Sequence, residues 1–377
     1  MPRNIAYAMI KNCCNCRDTF VQDDQYEVFE ITGNVLLCFR NLAVDPNRRS
    51  SSFNSETQRR QTFSGSKPTM ANGDNSPYEV IEKGNLYSLN YRLYIKGPNG
   101  LVSPWHDIPL YADEENKIFN MVVEIPRWSN AKNGGKRLTA RSHCFMASFQ
   151  MATKEPLSPI KQDEKKGLPR FVHNIFPHKG YIWNYGALPQ TWEDPSFKDE
   201  ATLAFGDNDP VDIIEIGQKN STSRSNRSVL GVIALLDEGE TDWKLIGIDV
   251  TDPAASKLND INDVESQFPG LLCATFEWFK IYKIPAGKPE NTFGFNGEFK
   301  NREFAQKVID ETNHFWKSLI KEESPKLNTE THTSGAAHKA NDDDWKKIVD
   351  SQKDIGVDSP LPEDVDKWHF VTVPSKI

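Results

Sequence analysis

The chain has 377 residues and carries 45 Lys and Arg against 53 Asp and Glu, a formal net charge of −8. This balance argues against a protein that binds nucleic acid through bulk electrostatics. No run of about 18 apolar residues occurs, so a transmembrane helix is excluded. Six cysteines in a chain of this length are too few for a disulfide scaffold. We therefore expect an intracellular protein with one large domain and tails, without membrane association.

The first residues match neither of two targeting signals. A secretory signal needs a continuous apolar segment, but the apolar stretch at 5–10 is interrupted and is followed by Lys11. A mitochondrial presequence is nearly free of acids, yet Asp18 and Asp23 occur early. We predict a cytoplasmic location, with the mitochondrion as the alternative.

Composition divides the chain into three parts. Residues 41–77 are rich in Arg, Ser, Asn, Gln and Thr and cannot bury enough apolar surface to offset their ordering entropy. We predict a poorly ordered N-terminal extension over 1–77 and a folded domain over 78–322. Residues 323–377 are again polar, and we predict a C-terminal tail that is held down by the aromatic segment at 368–370.

Short strands separated by turns dominate the predicted domain. Apolar residues alternate from 117 to 125 on one face of a strand, and Glu124 lies on the other face. Further strands are predicted at 211–216, 229–236 and 244–250. This spacing is typical of a small barrel or sandwich rather than of a doubly wound sheet.

Helical patterns come later, at 270–282 and 302–320. The second pattern has one apolar stripe and begins behind Asn301, a residue type that caps helices. The predicted class is therefore α+β with a mainly β core.

Three carboxylates, Asp207, Asp209 and Asp212, lie within six residues at the start of a predicted strand. Such groups repel one another unless a cation neutralises them, and their oxygens suit Mg²⁺ or Mn²⁺. A solvated turn is the alternative for this segment.

A second acidic segment, 237–244, also joins two strands. Asp242 and Lys244 are two residues apart, so strand alternation places both side chains on one side of the sheet. This pattern predicts metal ligands beside a cation that suits phosphate, with an exposed hairpin turn as the alternative. The aromatic segment at 180–195 is predicted, from its residues alone, to be core and turn.

The sequence resembles the soluble family I inorganic pyrophosphatases of the longer eukaryotic type over about residues 78–322. The resemblance is carried by segments that occur in the family's order: HDIPLYA (106–112), FNMVVEIPRW (119–128), GYIWNYGALPQTWEDP (180–195), GDNDPVDIIEIG (206–217), DEGETDWK (237–244) and KPENTFGFNGE (288–298). It implies a five-stranded, OB-like closed barrel with peripheral helices and extensions. It also implies a homodimer that hydrolyses pyrophosphate to two phosphates with Mg²⁺.

The resemblance further implies the roles of individual residues. Several Mg²⁺ ions, or Mn²⁺ as a substitute, would be held by Asp207, Asp212, Asp242, Asp237 and Glu124. Asp209 would take the proton of the attacking water. The groups that hold phosphate would be Lys132, Arg170, Tyr185, Lys244, Tyr282 and Lys283. These residue types suit the reaction, because metal ions held by carboxylates activate water, and Lys and Arg balance the charge of the leaving phosphate.

Three departures from the family pattern stand out. An unpatterned, basic insert occupies 133–148, and Gln150 stands where the family has an acidic residue. Residues 218–228 are rich in Ser, Asn and Arg where the family has a barrel strand, so either that strand is predicted to be poorly specified or the barrel edge is predicted to be looser than usual. The alternative function is therefore a catalytically weakened relative that serves as a binding subunit. Nucleic-acid binding is not expected, because the strand ends are acidic.

Overall fold

A computed structural model of the chain describes the strands at 20–23, 26–31 and 34–37 and residues 78–128, 149–218 and 225–372. The chain divides into two compact units, 1–73 and 74–377. In the first unit, β1 to β3 are Phe20–Asp23, Tyr26–Ile31 and Asn34–Leu37, which pair as an antiparallel sheet. The rest of the predicted N-terminal extension, the predicted insert at 133–148 and Lys132 lie outside the described residues.

The second unit has a mainly β core, as the sequence predicts. Its strands β4 to β12 are Glu79–Lys83, Arg92–Gly97, Gly100–Val102, Tyr111–Asp113, Ile118–Ile125, Phe149–Met151, Ile160–Gln162, Glu164–Lys165 and Leu168–Pro169. Strands β13 to β21 are Asn174–Ile175, Asn184–Ala187, Phe205–Gly206, Asp212–Glu215, Ser225–Asp237, Glu240–Asp249, Thr292–Phe293, Lys300–Asn301 and Trp368–His369. The strands predicted at 117–125, 211–216, 229–236 and 244–250 are confirmed, with ends shifted by a few residues.

Five of these strands pair in a closed ring. Strand β8 pairs with β14, β14 with β16, β16 with β18, β18 with β17, and β17 again with β8. All but one of these pairings are antiparallel; β16 and β18 run parallel. The small sheet formed by β4, β5, β6, β9 and β10 lies outside this circuit.

The strand β17 begins in the polar segment whose strand we predict to be poorly specified. From Ser225 it pairs with β8, and from Arg227 it pairs with β18. Arg227 is fully buried, and its Nη1 lies 2.9 Å from Asp249 Oδ2. The prediction is wrong for 225–228, because a buried ion pair rather than an apolar side chain holds this part of the strand. Residues 219–224 lie outside the described part of the chain.

In the described residues, all α-helices follow the ring strands along the chain. Four α-helices, α1 to α4, span Ile261–Gln267, Leu271–Ile281, Arg302–Leu319 and Asp342–Ser351, and 3₁₀ turns span Ala255–Lys257, Ile284–Ala286 and Gly294–Gly297. The predicted cap is confirmed, since Asn301 Oδ1 accepts a hydrogen bond from Phe304 N at 3.0 Å. Val308 and Ile309 of α3 join the same buried cluster as Val232 of β17. Helix α3 therefore covers an outer face of the ring.

The C-terminal segment, which we predict to be a polar tail, packs on this unit. Trp345 of α4 is buried in a cluster with Tyr94 and Leu157, and its Nε1 donates to Glu330 at 3.0 Å. Farther along, β21 pairs in parallel with β13, so the predicted fixing role of the 368–370 segment agrees with the contacts. The C-terminal segment is polar in composition, but it packs on the second unit through Trp345 of α4 and through strand β21.

Candidate active site

One cavity of about 150 Å³, here named the inner cavity, collects nearly all the residues predicted for the site. Ten of them line it: Glu124, Arg170, Tyr185, Asp207, Asp209, Asp212, Asp237, Asp242, Lys244 and Tyr282. Lys283 lies beside it, where its Nζ contacts Asp237 Oδ1. The structure does not describe Lys132. The sequence therefore identified most of this cavity, although its segments are far apart along the chain.

The ends of the ring strands place these side chains. Asp212 begins β16, Asp237 ends β17, and Asp242 and Lys244 lie near the start of β18. Parallel pairing sets Asp212 directly opposite Lys244. Glu124 lies on β8, where Met151 N donates to its Oε1 at 2.7 Å. The acidic residues thus converge because neighbouring strands end or begin at the same edge.

A tight contact holds the acidic loop after β15. Asn208 N donates to Glu193 O at 2.9 Å, and Glu193 N donates to Asp209 O at 2.9 Å. Only glycine fits at 206, since a Cβ there would lie 2.5 Å from the Glu193 carbonyl. The loop that carries Asp207 and Asp209 is therefore fixed against the loop that carries Glu193.

Glu193 is a site residue that the sequence reasoning missed. Carboxylate oxygens of Glu193, Asp207 and Asp242 lie within 4.8 Å of one another. Glu193 Oε1 accepts a hydrogen bond from Trp243 N at 3.0 Å, whereas its buried Oε2 has no hydrogen-bond partner among the described residues. An unpartnered buried oxygen beside two carboxylates fits a hard divalent cation. The sequence offered one indication of this role: Glu193 is an acidic residue next to Trp192 and Asp194, in a segment predicted to be core and turn.

Burial, followed by repulsion between carboxylates, raises the pKa values of several carboxyls in the inner cavity. Burial, and then repulsion by Asp212, raises the pKa of Asp209 to about 7. Burial also raises the pKa of Asp242 to about 7, with Lys244 opposing and Asp212 adding to the shift. The pKa of Glu124 is raised well above its ordinary value by burial and by Asp212. The cavity thus holds more negative charge than its own cations offset, and bound cations would relieve the excess.

Lys244 is the central cation of the inner cavity. Its buried ammonium donates to both Asp212 and Asp242, and to the Tyr185 hydroxyl at 3.0 Å. Burial lowers its pKa, but Asp212 and Asp242 outweigh this and raise it well above the ordinary value. Lys244 therefore stays charged over the physiological pH range.

Arg170 is the second cation that lines the inner cavity. Arg170 Nη1 donates to Asp163 Oδ2 at 2.8 Å. Tyr282 stacks on Trp278 with ring centroids 4.7 Å apart, which fixes its hydroxyl at the cavity. Guanidinium, ammonium and phenol groups are all donors for phosphate oxygens. The ring and the inner cavity together define a protein that can bind divalent cations and phosphate groups in one place.

Comparisons with known proteins agree with this class. Residues 121–317 match the family model described as inorganic pyrophosphatase. Inorganic pyrophosphatase 1 of Caenorhabditis elegans is 60% identical over 301 residues, which cover 79% of this chain and 67% of that protein. The inorganic pyrophosphatase of Drosophila melanogaster is 51% identical over 300 residues, covering 78% of this chain and 84% of that one.

The fold agrees as well. The structure of inorganic pyrophosphatase from Schistosoma japonicum superposes with a TM-score of 0.70 at 44% identity, over 78% of this chain and 100% of that one. The chain belongs to the inorganic pyrophosphatase family. None of the helices in the described part of the chain is long and apolar enough to cross a bilayer.

Proposed function

We propose that this protein hydrolyses inorganic pyrophosphate to two orthophosphates by direct attack of a metal-activated water. The observation that carries the proposal is the inner cavity, where an excess of buried carboxylates surrounds Lys244 and faces Arg170 in a chain of this family. In the reaction, a water oxygen bonds to one phosphorus, the bridging P–O bond breaks, and the water loses a proton. No covalent intermediate with the protein is needed.

The metal would be Mg²⁺, with several ions in each site and Mn²⁺ as a substitute. Carboxylates of Asp207, Asp212, Asp237, Asp242 and Glu124 would hold the ions, and we add Glu193 to this set because of its position between Asp207 and Asp242. When bound, Mg²⁺ lowers the pKa of a water and neutralises phosphate oxygens.

Asp209 would accept the proton of the attacking water at a carboxylate oxygen. Burial and Asp212 raise its pKa to about 7 in the metal-free protein, and cations bound at the neighbouring carboxylates would lower it, so that Asp209 would be ionised and able to accept a proton near neutral pH. Its backbone is fixed, since Asp209 N donates to Asp207 Oδ1 at 3.0 Å and its carbonyl accepts from Glu193. The base is thus held at the edge of the proposed metal ligands.

Phosphate oxygens would be held by Arg170, Lys244, Tyr185, Tyr282 and Lys283, to which the resemblance adds Lys132. Lys244 and Tyr185 share contacts with Asp212, so they are oriented before substrate enters. Arg170 is held in the same way by Asp163. Preset donors of this kind stabilise charge that develops in the transition state.

The finer architecture and assembly belong to the same proposal. We propose that the five-strand ring is an OB-type barrel, that 78–322 is the catalytic domain, and that the protein is a cytoplasmic homodimer. An exposed aromatic patch supports the dimer: Phe176 lies 6.0 Å from Trp368 and 5.5 Å from Phe370 between ring centroids. Sedimentation of the wild type and of Trp368→Ser tests the dimer, which the substitution should weaken.

A phosphate-release assay on pyrophosphate tests the function directly. We expect turnover with Mg²⁺ and none in excess chelator, and we expect Ca²⁺ to be a poor substitute, because Ca²⁺ prefers longer and more numerous oxygen contacts. Full activity in chelator would contradict the metal mechanism. Absence of hydrolysis with Mg²⁺ would contradict the proposed function.

A further inference from the structure

A second cavity of about 340 Å³, here named the outer cavity, adjoins the inner one. The two share Gln150, Asp163, Arg170 and Tyr282 as lining residues. The outer cavity adds residues that are more exposed, among them Lys165, Glu238 and Lys288. It therefore adjoins the proposed site of chemistry through shared walls and is lined by more exposed side chains.

The two cavities carry opposite charge. Seven carboxylates line the inner cavity, against Arg170 and Lys244 as cations. The outer cavity has four cations against three carboxylates, Asp163, Glu164 and Glu238; the cations are Lys165, Arg170, Lys283 and Lys288. An anion that enters through the outer cavity thus meets a positive region before it meets an acidic one.

Two of these cations have no role in the proposed chemistry. Lys288 Nζ lies 2.9 Å from Glu238 Oε2, in a pair whose side chains are 39% and 55% exposed. Lys165 has no ion-pair partner among the described residues, and partial burial followed by repulsion from Arg170 and Lys288 lowers its pKa. Both ammonium groups can thus bind an incoming anion at small cost, since exposed ion pairs are weak.

A short hairpin orients Lys165. Strands β11 and β12 pair antiparallel with Lys165 opposite Leu168, and Lys166 and Gly167 form the turn with φ of 56° and 77°. Lys165 lines the outer cavity, whereas Lys166 is not among its lining residues. The chain thus offers two adjacent lysines of which one borders the cavity.

We propose that the outer cavity is a capture subsite for the pyrophosphate anion, in which Lys165 and Lys288 bind the arriving anion before it passes to Arg170 and Lys283. This inference rests on the proposed function. Glu238 limits the subsite, because it occupies Lys288 and lies 3.5 Å from Lys283 Nζ. Cations that line a cleft raise the rate of anion entry, and ionic strength weakens this effect.

The first test compares steady-state kinetics of the wild type with Lys165→Gln, Lys288→Gln and the double variant, with saturating Mg²⁺. At low salt we expect kcat/KM of the double variant to fall about tenfold, with kcat within about twofold of wild type. The difference should shrink as KCl rises from about 20 to about 300 mM. Glu238→Gln should raise kcat/KM at low salt.

Two control variants distinguish a specific anion subsite from an effect of the overall charge of the protein. Lys166→Gln removes the same charge one residue away, and Lys347→Gln removes it from α4, where Lys347 pairs with Asp344. Both should leave kcat/KM within about twofold of wild type. An equal loss in Lys165→Gln and Lys166→Gln, an unchanged kcat/KM in the double variant, or a loss confined to kcat would each overturn the proposal.

A second readout does not depend on turnover. Calorimetric titration of the metal-free protein with inorganic phosphate should show weaker binding in the double variant than in the wild type or Lys166→Gln. Equal affinities in all three proteins would overturn the capture subsite even if hydrolysis is normal. If the wild type binds phosphate through these lysines but does not hydrolyse pyrophosphate, the proposed function fails and the anion site stands.

Discussion

Carboxylates lie at both ends of the ring strands, but they are neutralised by arginines at one end and are in excess over cations at the other. Strand β16 begins with Asp212 and ends with Glu215; β18 has Asp242 near its start and Asp249 at its end. At the far end each carboxylate has its own arginine: Asp249 pairs with Arg227 at 2.9 Å, and Glu215 lies 3.5 Å from Arg127 Nη2. At the inner cavity, seven carboxylates have three cations, Arg170 and Lys244 among the lining residues and Lys283 beside Asp237.

The paired carboxylates stabilise the fold, whereas the unpaired ones are available for metal binding and catalysis. A buried carboxylate with a matched arginine and hydrogen bonds is neutralised within the fold; Asn184 Nδ2, for example, also donates to Glu215 at 2.6 Å. A group of carboxylates without enough cations has raised pKa values and can be neutralised only by protons or metal ions. Substitutions at the two ends should therefore affect different properties of the protein.

The largest expected effect is at the acidic end. Asp209→Asn keeps the side-chain shape but removes the proton acceptor, so turnover of pyrophosphate should fall by about 10²-fold or more. Thermal stability should be unchanged or higher, because one of several repelling charges is lost. A purified variant that turns over within about threefold of wild type would show that Asp209 is not the base.

The next effect is at the paired end. Asp249→Asn leaves Arg227 buried without its counter-charge, so the free energy of unfolding should fall by about 3 kcal/mol, measured by urea denaturation. Turnover of the folded protein should stay within about twofold, since Asp249 lies seven residues, about 23 Å, along β18 from Asp242.

A matched double variant sharpens this prediction. Arg227→Met with Asp249→Leu removes both charges and should be more stable than Asp249→Asn alone. If the double variant is the less stable of the two, the cost does not come from an unpaired charge.

The acidic end should also make stability depend on pH. The pKa values of Asp209 and Asp242 are about 7 in the folded protein, but carboxyls of an unfolded chain titrate near about 4. Between these values the folded protein binds more protons, so the free energy of unfolding without metal should fall as pH rises from about 4 to about 7. Melting curves in chelator from about pH 5 to pH 8 measure this.

Mg²⁺ should reverse that loss. Because cations replace the bound protons, the rise in Tm on adding Mg²⁺ should be larger at pH 8 than at pH 5, by about 3 °C or more, the shift that about 1 kcal/mol gives in a domain of this size. Asp242→Asn should reduce the difference, and Asp249→Asn should not. A Tm gain that is the same at both pH values would contradict the account of the acidic end.

The smallest effect concerns Gln150, which lines both cavities. Gln150→Glu adds one negative charge to the acidic end, so the Mg²⁺ concentration for half-maximal rate should fall by about threefold. Gln267→Glu adds the same charge at the end of helix α1, where the residue lines neither cavity; it is the control and should leave that concentration unchanged. Equal Mg²⁺ titrations for Gln150→Glu and wild type would mean that position 150 contributes nothing to metal affinity.

Local patterns were sufficient to predict four of the five ring strands and the acidic loops, but not β14, which lies in the segment predicted to be core and turn. The alternation around Glu124 and the spacing of Asp242 and Lys244 depend only on strand geometry, so both survive in the fold. The resemblance supplied what spacing does not, namely that Arg170, Tyr185 and Tyr282 reach the same cavity.

The missed features depend on partners distant in sequence. Glu193 became visible only once folding brought it to Asp207 and Asp242. The start of β17 looks like a loop because Arg227 is buried only together with Asp249. Similarly, one buried Trp345 anchors a segment whose average composition is polar. The composition of a segment reflects its average exposure to solvent, so it does not show that a single residue such as Trp345 is buried.

The pairing of β21 with β13 has a consequence for synthesis of the protein on the ribosome. The last strand of the ring ends at Asp249, but Asn174 and Ile175 receive their partner strand only when His369 has been made. The 120 residues between 249 and 369 take about 6–24 s to translate at about 5–20 residues per second. During that interval β13, which lies outside the ring and pairs only with β21 among the described strands, has no partner strand, so its edge stays open to mispairing after the ring strands have been made.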